Sequence, residues 1–71
     1  MTLPEELYDR AIAELRADVE KAGDTVASLR RTGDVIELVY YDRSDDEGWR
    51  VLFTVQEDGT RSLIGRNRYS L

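Results

Sequence analysis

Thr32-Gly33-Asp34-Val35-Ile36-Glu37-Leu38-Val39-Tyr40-Tyr41-Asp42 is the stretch that decides the fold. It opens on a Gly-led dipeptide set between two runs of alternating character, the signature of a two-residue hairpin with a type II′ turn. That turn places Thr32 opposite Val35, and with it Leu29 opposite Leu38, Ala27 opposite Tyr40 and Arg30 opposite Glu37. Apolar residues then meet on one face and an opposite-charge pair falls on the other. The polar loop from Arg43 to Gly48 leads into a second alternating run. With Asp42 facing Trp49, Tyr40 meets Val51, Leu38 meets Phe53 and Ile36 meets Val55. Both turns select the same face of the middle strand, and a one-residue slip at either would reverse it.

Toward the C-terminus, Asp58-Gly59 turns into a fourth strand by one of two routes. A two-residue type I′ turn puts Ile64 inward, opposite Phe53; a three-residue loop with a Gly59 bulge puts Leu63 and Tyr69 inward. Before Thr25 the period is 3.6 instead of 2. Leu7, Tyr8, Ala11, Ile12, Leu15, Val19 and Ala22 recur at three- and four-residue spacing, opposite Glu6, Asp9, Arg10, Glu14, Arg16, Glu20 and Lys21. This predicts an amphipathic helix over about residues 3–22. Thr2 and Glu5 read as a capping box around Pro4, and Gly23 as the residue that ends the helix in the left-handed conformation.

Strands over about 25–32, 35–42, 49–56 and 61–69 complete the expectation. It is a single small α+β domain over residues 1–71, one N-terminal amphipathic helix packed on a four-stranded antiparallel β-meander, a two-layer αββββ sandwich. In connectivity this arrangement resembles the helix-on-sheet layout of cystatin-like folds and of the small PepSY-type modules. The chain carries neither the cystatin inhibitory motif nor the PepSY signature residues, so the resemblance implies a layout and no function.

Composition narrows the function classes. The chain has 71 residues, 41% of them hydrophobic and 35% charged, which fits a folded domain better than a disordered one. It has no Cys and no His, so disulfides, thiolate chemistry and the commonest general base and metal ligand are all missing. No cofactor or metal site is expected. No apolar run nears the roughly 20 residues that span a bilayer, and the acidic start (Glu5, Glu6, Asp9) lacks a secretory n-region. A cytoplasmic chain with no membrane partner is the expectation. The net charge of −5 disfavours a nucleic-acid partner, because a phosphate footprint needs a positive surface. That charge is uneven: residues 1–60 hold 15 acids against 7 bases, a balance of −8, whereas residues 61–71 hold Arg61, Arg66 and Arg68 and no acid.

Four candidate sites follow from this register. Val26, Val39, Tyr41 and Leu52 point away from the helix on a sheet face that should be polar, joined by Ile64 or Leu63 according to the last turn. Such a patch reads as a protein-binding or homodimer surface, set against the ordinary scatter of exposed apolar residues. Arg61, Arg66, Arg68 and Tyr69 form a basic patch on the last strand, either a charged edge that resists sheet-to-sheet pairing or a base-stacking strip. The acidic run Asp42, Asp45, Asp46 and Glu47 does not match a calcium loop and reads as solvated. Catalysis by paired carboxylates needs a pocket that one helix over four strands does not enclose. The expectation is therefore a small non-enzymatic interaction module, a regulator, inhibitor or adaptor acting by protein–protein contact, with a homodimer as one form. The alternative is a small-ligand or single-stranded nucleic-acid binder using the Arg-bearing last strand. A designed chain without biological function is a further alternative, against which nine Arg to one Lys argues.

Overall fold

The structure, a computed structural model that describes residues 3–42 and 47–69, is an α+β fold with one helix on a four-stranded antiparallel sheet. Helix α1 is Glu5–Lys21, followed by strands β1 Thr25–Thr32, β2 Val35–Tyr41, β3 Gly48–Val55 and β4 Arg61–Tyr69. The strands lie in the order β1-β2-β3-β4, a meander. The helix is shorter at its start than the sequence pattern predicts. Pro4 holds ψ at 141°, an extended value, so it stands outside the helix as the cap, and the proposed capping box is not built around Glu5; Thr2 lies outside the described residues. The helix end matches its expectation. Gly23, with φ of 88°, donates its N–H to the Glu20 carbonyl (3.0 Å) and Asp24 donates to that of Val19 (3.1 Å), the paired bonds of a Schellman motif.

One helical stripe makes the core. Tyr8, Ala11, Leu15 and Val19 are buried against Ile36, Leu38 and Val55, and Ile36 is fully enclosed. At the N-terminal end, the Tyr8 hydroxyl donates to Asp34 in the first hairpin (3.1 Å), while the Arg31 guanidinium lies 3.8 Å over the Tyr8 ring. Burial, and then the bond to Asp34, raises the Tyr8 pKa above its ordinary value.

Three features of the sheet depart from the sequence register. In β1 the pairs from Thr32–Val35 to Ser28–Val39 are as expected, but Ala27 is bulged, so Val26 pairs with Tyr40. The bulge turns Val26 to the helix side, where it packs against the core instead of pointing outward. Between β2 and β3 the register is two residues tighter, with Tyr41 opposite Gly48, Leu38 opposite Val51 and Ile36 opposite Phe53. A shift of two keeps every side chain on its face, which is why alternation alone could not detect it. Gly48 suits it: a Cβ there would meet the Tyr41 ring at 2.8 Å and the Tyr69 carbonyl oxygen at 2.9 Å, so only glycine leaves room. The last turn is the three-residue loop, closed by Gln56 N–H to Thr60 carbonyl (2.7 Å), with Gly59 at φ 89°. Leu63 accordingly faces the helix side opposite Phe53, but a bulge at Ile64 restores the alternate phase and sends Tyr69 outward, opposite Gly48.

Candidate functional site

A four-stranded sheet with strands about 4.8 Å apart is roughly 19 Å wide, and an α-helix with its side chains is about 10 Å across. One helix can therefore cover half of such a face. Helix α1 packs chiefly on β1, then on β2, and only grazes β3. The uncovered half of the helix-side face is a groove of about 350 Å³ between the C-terminal half of α1 and strand β4. Leu38, Tyr40, Val51 and Phe53 form its floor. Leu15, Asp18, Val19, Ala22 and Asp24 line the α1 side, and Leu63 and Arg66 line the β4 side. The radius of gyration of 12.3 Å exceeds the ~11 Å of a compact domain of this length, in keeping with the elongated 40 × 21 × 15 Å extents.

Strand β4 carries the groove's outer wall. Its large apolar residues are open to solvent: Leu63 is 58% exposed, Ile64 54% and Tyr69 43%. The phase set by the bulge brings Arg66 and Arg68 to the helix side, where both lie over the single Trp49, at 4.2 and 5.7 Å from its ring centre. Stacking on an indole face holds a guanidinium in place without discharging it. Arg61 is engaged otherwise: its two terminal nitrogens reach Glu14 (3.0 Å) and Asp18 (3.4 Å), tying the start of β4 to α1. Arg68 meets Glu47 only at 3.5 Å, and among the described residues no carboxylate lies within salt-bridge distance of Arg66.

The opposite sheet face is different in kind. There Glu37 accepts hydrogen bonds from Arg30 Nε (3.1 Å) and Arg50 Nε (2.8 Å), and the bond from Arg50 chiefly holds its pKa below the usual carboxylate range. Of the outward residues expected from sequence, Val39, Tyr41 and Leu52 keep to this face and Val26 leaves it. Val26 has turned inward, Val39 is buried and faces Arg50, and Leu52 faces Glu37, so charged residues interleave the apolar ones. Tyr41 is half-buried against Gly48. The basic patch is split as well: Arg61, Arg66 and Arg68 share the helix side while Tyr69 is on the other face. The acidic run has Asp45 and Asp46 outside the described residues, and among the described residues no cluster of three acidic side chains is arranged for a metal. No described helix is long and apolar enough to cross a membrane.

Sequence reasoning placed Leu15, Val19, Phe53 and Leu38 together as core and missed the groove between them. The only available signal was arithmetic, a single helix set against four strands. The Arg66–Trp49 stack had no local signal, since it depends on the β4 bulge.

The chain matches no protein-family model, no curated protein and no solved structure.

Proposed function

We propose that the protein is an interaction module that receives a segment of another protein in the groove between α1 and β4. The observation that carries this reading is the half-covered sheet face, with exposed Leu63 beside Phe53 at its mouth and the Arg66 guanidinium, stacked on Trp49, on its rim. Apolar floor with a few convergent polar groups is the composition of surfaces that bind. Tyr8, Glu37 and Asp58, whose pKa values the fold moves, all lie outside the groove, so they lend it no acid–base chemistry. Base stacking is poorly served, because the Trp49 face already carries Arg66 and Tyr69 lies across the sheet.

Photo-crosslinking in the cells that make this chain tests the reading. A photoreactive phenylalanine analogue replaces Leu63 in one variant and exposed Ala13, on the solvent side of α1, in another. A covalent adduct with a polypeptide at position 63 and none at position 13 is expected. Equal yields at both positions, or none at 63, would overturn it.

A further inference from the structure

The groove also restricts what can fill it. Resting on the interaction reading above, we infer that the occupant is an acidic amphipathic helix from a different protein, apolar side on Phe53 and Leu63 and carboxylates toward Arg66 and Arg68.

Shape comes first. The uncovered half of the sheet is about 10 Å wide, the width of one helix lying beside α1. A second helix there would complete a two-helix layer over the four strands. An added strand fits less well, because the free edge it would extend is broken by the bulge at Ile64 and lined with Arg. The groove volume of about 350 Å³ accepts two or three large apolar side chains, as an i, i+3 or i+4, i+7 stripe supplies.

Charge fixes the flank. Strand β4 carries three Arg and no acid; Arg61 is committed to α1 and Arg68 meets Glu47 at 3.5 Å, whereas Arg66 is held over Trp49 with no carboxylate among the described residues within salt-bridge distance. A carboxylate arriving on that side gains a charge-assisted partner already fixed in position. Asp18 and Asp24 on the α1 wall call for basic or neutral residues on the other flank.

A second copy of this chain does not meet these terms. Its own helix is acidic, but the apolar stripe Tyr8, Ala11, Leu15 and Val19 is already buried on its own sheet. What it presents outward is polar.

The test is selection of displayed random peptides of about 17 residues, long enough for ~25 Å of helix, against the whole folded chain. Synthetic versions of the selected peptides are then titrated, with the fluorescence of the single Trp49 as the readout. Selected sequences are expected to be acidic with apolar residues at helical spacing. Their affinity should fall by about tenfold or more in Leu63→Asp and by about tenfold in Arg66→Glu. Reselection on Arg66→Glu should turn the flank toward Lys and Arg. Circular dichroism of both variants checks folding, which exposed positions should preserve. Peptides that are basic or alternate with a period of two, yet still lose binding in Leu63→Asp, would overturn the acidic helix and leave the interaction reading standing. So would a sedimentation dimer that Leu63→Asp dissociates. Binding indifferent to both variants, or no enrichment at all, would overturn the inference, and crosslinking at position 63 would then decide the broader reading by itself.

Discussion

Ile36 and Phe53 face each other across β2 and β3, yet one is fully enclosed and the other only partly buried. The boundary between the two halves of the sheet runs between them. On the β1–β2 side α1 supplies a second layer and apolar area becomes stability. On the β3–β4 side Val51 is still buried, but Phe53 and Leu63, residues of the same kind, meet a layer that is missing. The difference teaches that a small fold can keep a binding surface by leaving a sheet wider than its helix. The cost is a thin core.

That contrast predicts unequal penalties for similar truncations. Ile36→Ala should be the most damaging, about 2–5 kcal/mol for a fully buried aliphatic chain. A domain of this size holds roughly 3–5 kcal/mol in all, so most Ile36→Ala molecules should be unfolded at body temperature by circular dichroism. Phe53→Ala removes a larger side chain, but one only partly withdrawn from water, so about half of the 3–5 kcal/mol of a buried Phe is expected in urea melts. A larger loss for Phe53→Ala than for Ile36→Ala would abolish the distinction between the halves.

A third test concerns the link across that boundary, where Arg50 on β3 holds Glu37 on β2. Because the folded state lowers the Glu37 pKa, its contribution to stability is present above the ordinary carboxylate value of 4.5 and is lost as pH falls through the lowered value. Denaturation at pH 7 and pH 3 should therefore show a smaller acid-induced loss in Glu37→Gln than in wild type. Equal losses would mean the carboxylate does not join the halves. The smallest expected effect is Leu63→Ala, within about 0.5 kcal/mol of wild-type stability, since the residue is mostly in water. A shift of several degrees in its thermal midpoint would show that the groove is part of the core and not a vacancy beside it.

Much of this was legible in the residues. Periodicity of 3.6 marked the helix, Gly23 its end, and Gly33-Asp34 the first hairpin with its nearest pairs, because each rests on chemistry spanning only a few positions. The inward face of β2 was equally determined, since it survives any slip of two. What the sequence left undecided lies where distant strands press on one another. The β2–β3 register sets the Tyr41 ring beside Gly48, a contact between distant strands, and alternation is blind to a shift of two. Bulges at Ala27 and Ile64 moved Val26 inward, Tyr69 outward and Arg66 onto Trp49, taking one residue out of an expected patch and building the Arg–Trp stack. Local composition does not encode a bulge, which answers to the twist and packing of the whole sheet. The groove itself is a tertiary fact for a plainer reason. No residue specifies it; it is the width of four strands less the width of one helix.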